Sequence, residues 1–237
     1  MNAQRAHPGR PRLVPPTTTA SPHDQVLHAA AELFVTKGFA ATSTREIAER
    51  VGIRQASLYY HFTGKDEILA ELLQRSVRPA VDKVEEIEKL AATETDETAL
   101  YALALVDVHT LAEAPHNVGM LATLPDVTSS GAYDAFRSTR VELAEAYGRL
   151  AARVATPGTS ETPEPRHLGE MLMHLVEVVT SLRGIGATID PATADAIAAT
   201  CLRACGVSGG RISAAAASAA ALVRRMPASA YSRTASP

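Results

Sequence analysis

Residues 42–69, TSTREIAERVGIRQASLYYHFTGKDEIL, decide how this chain is read. Ser43 and Glu46 have the S-x-x-E spacing of a capping box, which starts a helix at Thr44. Ile47, Ala48 and Val51 give that helix one apolar face, and Gly52 supplies the backbone freedom for a reversal. Ile53 plugs the angle between this helix and its successor. The next helix, from about Gln55 to His61, is anchored by Leu58 and Phe62 one turn apart, which turns Ser57, Tyr60 and His61 outward. A short helix that shows water a hydroxyl, a phenol and an imidazole, where Lys and Glu would be usual, is built to touch something. Helix, glycine turn and polar-aromatic second helix form the helix-turn-helix arrangement, whose second helix enters the DNA major groove.

The pattern T-x-R-E-I-A-x-x-V-G-I-x-x-x-S-L-Y-Y-H-F-x-x-K-x-x-I-L resembles the signature of TetR-type (tetracycline-repressor-like) bacterial transcriptional regulators, over roughly residues 25 to 70 without a gap. The resemblance implies DNA contacts from the start of the second helix, most of the third and the start of the fourth. By it, Thr44 is a phosphate-contacting hydroxyl and Arg45 reaches a base edge, where its fork suits guanine. Gln55, Ala56 and Ser57 open the recognition helix, with groups suited to adenine, a thymine methyl and either partner sense. Tyr59, Tyr60 and His61 match an aromatic triplet whose polar ends meet phosphate. Tyr59 also has a plain structural alternative, bracing the first helix, and Arg45 an ion pair with Glu49 at i,i+4. Lys65 puts a cation in the first turn of a helix, against the macrodipole, which a phosphate at that N-terminus would offset.

Around this segment, residues 1–22 read as a disordered basic arm carrying Arg5, Arg10 and Arg12, and residues 23–70 as the DNA-binding head. Its first helix runs from about His23 to Lys37, with Val26, Leu27, Ala30, Leu33 and Phe34 as the apolar stripe and Gly38 as the stop. A fourth helix from Lys65 to about Glu88 carries Pro79 inside it, which predicts a kink or break there. Residues 71–225 read as a helical effector-binding and dimerisation body. Its helices are expected near 96–113, 117–124, 130–155, 166–184, 191–206 and 211–225, with a loop over TPGTSETPEPR and a flexible tail at 226–237. The fold class is therefore all-α: a three-helix head followed by a helical bundle.

Composition narrows the function classes. Hydrophobic residues at 46% and charged ones at 21% suit a globular protein, and an alanine-rich chain with no Trp leans helical. No apolar run reaches the length of a membrane span, and the N-terminus lacks the core of a secretory signal, so a cytoplasmic protein with no membrane partner is expected. The net charge of −3 divides unevenly: residues 1–70 hold eight Lys/Arg against six Asp/Glu, and the remainder fifteen against twenty. That is compatible with a small basic footprint on an acidic molecule. No P-loop, H-E-x-x-H, G-x-S-x-G or CxxC pair is present, which argues against an enzyme, and no cofactor is expected. Cys201 and Cys205, four apart, read as small hydrophobes on one helix face. His174 and Glu177 lie one turn apart but lack a second copy of the pattern, so no metal is expected.

Polar groups interrupt two apolar stretches of the body: Asp107 and His109 in one, His174, Glu177, Thr180 and Arg183 in the other. Such groups must be paired, solvated or waiting for a ligand. With adaptable Met and aromatic neighbours they suggest an effector pocket, for which the candidates are Tyr101, His109, Met120, Tyr133, Phe136, Met171, His174 and Glu177, with Met173 nearby. The resemblance implies that two late helices, 166–184 and 191–206, pair across a two-fold axis, and Gly184, Gly186, Ala192, Ala196 and Ala199 permit close approach. The expected function is a homodimeric, ligand-responsive repressor of a double-stranded, pseudo-palindromic operator. The alternatives are an activator, a ligand-independent DNA-binding protein and, remotely, an all-helical enzyme or carrier with a degenerate head.

Overall fold

The computed structural model describes residues 20–91, 93–155 and 164–226. Most of the basic arm with Arg5, Arg10 and Arg12, the centre of the proline-rich loop and the C-terminal tail lie outside the described residues. The regular elements among them are all helices joined by turns and loops, with no strand among the described residues. Helix α1 spans Pro22–Lys37, α2 Thr44–Val51, α3 Gln55–Tyr59, α4 Lys65–Arg75, α5 Arg78–Ala91 and α6 Asp96–Glu113. A 3-10 segment at Pro115–Thr123 and the single turn α7, Pro125–Thr128, lead to α8, Tyr133–Val154. Then come α9, Pro165–Gly184, α10, Pro191–Ala204, and α11, Gly209–Arg225.

Local chemistry sets the boundaries of the head. Ser21 caps α1 by accepting from the Asp24 amide, Pro22 occupies the first turn, and Gly38 ends the helix at φ 97°. The capping box forms as expected: Ser43 accepts from the Glu46 amide, and the Glu46 carboxylate accepts from the Ser43 amide at 2.9 Å. The Lys37 ammonium, together with Ser43, holds the Glu46 carboxyl down at about 2. Gly52 takes the left-handed conformation, φ 75°, that the turn into α3 requires. Val26, Phe34, Ile47, Leu58, Phe62, Ile68 and Leu69 are buried together as the core of the head.

The expected long fourth helix is two helices. It stops at Arg75, four residues before Pro79, because Pro79 has no N–H to give the Arg75 carbonyl and its ring would clash there. Ser76 turns the chain, its hydroxyl donating to the Leu73 carbonyl at 2.7 Å, and Pro79 sits harmlessly in the first turn of α5. The helix expected at 117–124 is also corrected. Its first residue, Asn117, and the preceding His116 are left-handed at φ 57° and 51°, and the chain beyond them winds as a tighter 3-10 coil. Asn117 holds the turn by donating to the Thr180 carbonyl at 2.8 Å.

In the body α6 is buried on nearly every side, a helix apolar all round lying at the centre of its bundle. It packs against α5, α8, α9, α10 and α11. Arg211 of α11 pairs with the buried Glu97, and Tyr101 donates to the Asp195 carboxylate of α10 at 2.9 Å. Helices α8 and α9 touch backbone to backbone. A Cβ on Gly169 would lie 2.0 Å from the Ala144 carbonyl oxygen, so only glycine permits the crossing.

Candidate functional site

The head presents one polar face, aimed by its helix caps and its buried core. The starts of α2 and α3 meet in a hydroxyl cluster. Gln55 Nε2 donates to Thr44 Oγ1 at 3.0 Å and to Tyr59 Oη at 3.3 Å, and the two hydroxyls lie 3.1 Å apart. This cross-link fixes α3 relative to α2 without burying either. Arg45, beside Thr44, pairs with Glu49 at 2.9 Å in the open, a bond weak enough to exchange for another partner. Ala56 and Ser57 are exposed, and Tyr60 projects with 88% of its surface accessible. His61 is half-buried, edge-on to both Tyr60 and His23.

Lys65 is placed differently from the expectation of a cation left without a partner at a helix N-terminus. Its ammonium donates to the carbonyls of Phe39 at 3.0 Å and of Ala40 and Thr42 at 3.3 Å, and lies 4.5 Å from the Phe39 ring centroid. It ties α4 to the α1–α2 turn. These carbonyls, in place of a phosphate, offset the unfavourable dipole.

A second site lies in the body. A cavity of about 350 Å³ opens among the α4–α5 turn, α6, α8, α9 and the 3-10 segment. Of the eight expected effector residues it gathers three: Phe136, His174 and Glu177. The other five stand elsewhere. Tyr101 is spent on Asp195, and burial raises its phenol pKa above the ordinary range. His109 is two residues from Asp107 on a helix, hence on the opposite side, and faces solvent. Tyr133 packs on the Phe136 ring from outside, 5.3 Å between centroids, and Met120 lies beside Asn117 away from the lining. Met171 is 56% exposed on the outer face of α9.

Met173, expected near the pocket, does line it, and the residues the candidate list lacked are Asp107, Arg140 and the helix break Ser76–Val77. Asp107 carried a signal, a carboxylate inside ALALVDVHTLA. Arg140 carried none, since only the fold brings it to Glu177, which it grips with both guanidinium nitrogens. Asp107 is 3% exposed and accepts the Tyr147 hydroxyl at 3.0 Å. Burial pushes its carboxyl up to about 7, Glu177 adds to the rise, and Tyr147 and Arg140 oppose it. Cys201 and Cys205 are free and buried, with thiols raised to about 12 and about 11 by that burial. No group of three or more metal-ligating side chains occurs among the described residues.

A helix-turn-helix head with an exposed polar recognition face, on an all-helical body, defines a DNA-binding regulator class. The pattern described as "Bacterial regulatory proteins, tetR family" matches residues 26–72. The crystal structure of Mycobacterium smegmatis AmtR is 33% identical, covering 94% of this chain and 100% of that one with a TM-score of 0.75. The chain belongs to the tetR family of bacterial regulatory proteins. The HTH-type transcriptional repressor KstR2 of Mycolicibacterium smegmatis is 41% identical over 59 residues, 25% of this chain and 29% of KstR2. The HTH-type transcriptional activator FasR of the same species is 43% identical over 60 residues, again 25% of this chain and 27% of FasR. The chain thus matches less than a third of the length of these two curated relatives. These relatives are transcriptional regulators, not enzymes, and no described helix is long and apolar enough to cross a membrane.

Proposed function

We propose that the protein is a homodimeric, ligand-responsive repressor acting in the cytoplasm, with residues 23–70 as its DNA-binding head and 71–225 as its sensing and dimerising body. Arg45, Gln55, Ala56 and Ser57 read base edges, and Thr44, Tyr59, Tyr60 and His61 meet phosphate. Lys65 acts by positioning the head, through the carbonyls it binds. Two copies place their recognition helices about 34–36 Å apart on a pseudo-palindromic operator.

The dimer face is formed by α9 and α10. Met171, Leu175 and Val178 make an exposed apolar stripe on α9, Ile185 is 81% exposed at its end, and Ala192 and Ala196 give α10 a small-residue surface. Apolar stripes of this kind at helical spacing mark partner surfaces. An obligate interface there would bury at least about 2,000 Å² in total.

One observation carries the ligand response. The cavity wall contains both joints between head and body: Ser76–Val77, where α4 ends, and Gly119, Ala122 and Thr123 of the 3-10 segment on which α1 packs. A ligand that prefers a displaced wall therefore favours a different head spacing, and operator affinity falls by its preference between the two states, typically 1–3 kcal/mol. Ala196→Arg tests the dimer half of the proposal. Sedimentation should give monomers that no longer hold a full operator. A monomeric parent that still binds the full operator tightly would overturn it.

A further inference from the structure

The cavity has a lopsided charge. Asp107 rises from the α6 side with one carboxylate oxygen accepting from Tyr147. Glu177 stands near enough to oppose its ionisation, and the guanidinium able to balance both, Arg140, is taken up by Glu177. Two carboxylates thus share one permanent cation, and the His174 imidazole, its Nε2 3.9 Å from Glu177, adds a second only when protonated. His174, 65% exposed at the rim, holds the Glu170 carbonyl through Nδ1 at 2.6 Å. The rest of the lining is mainly apolar, led by Val77, Leu111, Phe136, Leu143 and Met173. A body needing only to fold would place a hydrophobe at 107, since an unbalanced buried carboxylate is costly.

We propose that this cavity takes a small amphipathic amine, whose ammonium is bound by Asp107 beside Glu177 and whose compact apolar body lies against Phe136, Leu143 and Met173. The inference rests on the reading of the cavity as the effector site and names the chemistry of its ligand. An ammonium completes two ion pairs from two carboxylates and one guanidinium. A carboxylate ligand would add a third negative charge, and a neutral alcohol would leave the imbalance in place. At about 30 Å³ for each water-sized group, the space holds roughly ten non-hydrogen atoms.

Three probes of one chain length separate the cases: hexylammonium, 1-hexanol and hexanoate, titrated calorimetrically into the full-length protein at pH 8. The amine should bind at least about tenfold more tightly than the alcohol, and hexanoate more weakly still. Asp107→Asn, an uncharged isostere that keeps the Tyr147 hydrogen bond, should erase the preference. In the parent, moving from pH 8 to pH 6 should weaken amine binding about tenfold as Asp107, at about 7, takes up a proton. The other groups facing Asp107 are Tyr147, raised well above its usual range and so neutral, Cys201, at about 12 and also neutral, and the mutually paired Arg140 and Glu177. His174 at the rim is controlled by His174→Gln, which should keep the pH profile. Hexanol or hexanoate binding as tightly as the amine, or an Asn variant retaining the preference, overturns the inference while leaving an effector site in place. Failure of all three probes to bind overturns the effector reading of the cavity itself.

Discussion

Replacing Asp107 with Asn should make the protein more stable at neutral and alkaline pH. In the folded chain burial holds this carboxyl at about 7, whereas in the unfolded chain it ionises near 3.8. Between those values the folded state keeps a proton that the unfolded state releases. The parent's stability is therefore fully present below about pH 4 and is lost as pH rises through 7. At about 1.4 kcal/mol per pH unit the full cost approaches roughly 4 kcal/mol, and relaxation of the cavity wall brings the expected figure to about 2–4 kcal/mol. Asn keeps the bond from Tyr147 and carries no charge, so the variant escapes the cost. Urea unfolding of both proteins at equal concentration, from pH 5 to pH 8, reads the difference directly. The stability gap should open by about 1 kcal/mol per pH unit up to pH 7 and then level off. Parallel pH profiles, or a variant weaker than the parent at pH 8, would refute the claim that an ionised Asp107 is held against its solvation preference. Such a stability cost is what the proposed amine site would account for.

Arg45→Ala and Gln55→Ala should relax sequence preference, each costing about 1–3 kcal/mol on the preferred operator and little on random DNA; unchanged preference in both variants would remove them from base readout. Lys65→Ala should weaken binding to all sequences and also lower the stability of the head by about 1–3 kcal/mol, since three carbonyls lose their donor. Weakened binding with unaltered thermal stability would return Lys65 to a phosphate contact. His116 is held below its ordinary value of 6.5, chiefly by burial and then by His28, whose ring nitrogen lies 3.2 Å away. The unfolded chain therefore binds the extra proton first, and stability should fall as pH drops below 6.5. His116→Asn, which suits a left-handed residue, should lose less between pH 7.5 and pH 5.5 in a thermal melt; equal losses would contradict it.

The head was legible because its information is local. A capping box, a left-handed glycine and a buried pair at i,i+4 each act within one or two turns, and their spacing survives in the sequence unaltered. The body's helices were legible for the same reason, through apolar periodicity punctuated by proline. The break expected at Pro79 is present but falls a few residues upstream: α4 ends at Arg75, where the missing hydrogen bond would close, and Pro79 lies inside the first turn of α5. The cavity was only half legible. Asp107 signalled itself as a charge in an apolar run, but Arg140 lies 37 residues from the Glu177 it grips, and no spacing rule joins them. Periodicity did not separate the cavity-lining residues from His109 and Met171, which stand exposed outside the lining. The partners of Lys65 were illegible for a related reason, since the carbonyls it binds lie more than twenty residues away.

In the proposed function two copies of this head read a two-fold-related DNA site. Hydroxyl-radical footprinting of the full chain on the DNA flanking its own gene tests it most directly. Two symmetry-related protected patches should appear on one face of the duplex, centred about 10 base pairs apart, and fade steeply between 50 and 200 mM salt as phosphate contacts release counterions. A single unpaired patch, or uniform weak protection at any sequence, would contradict the account.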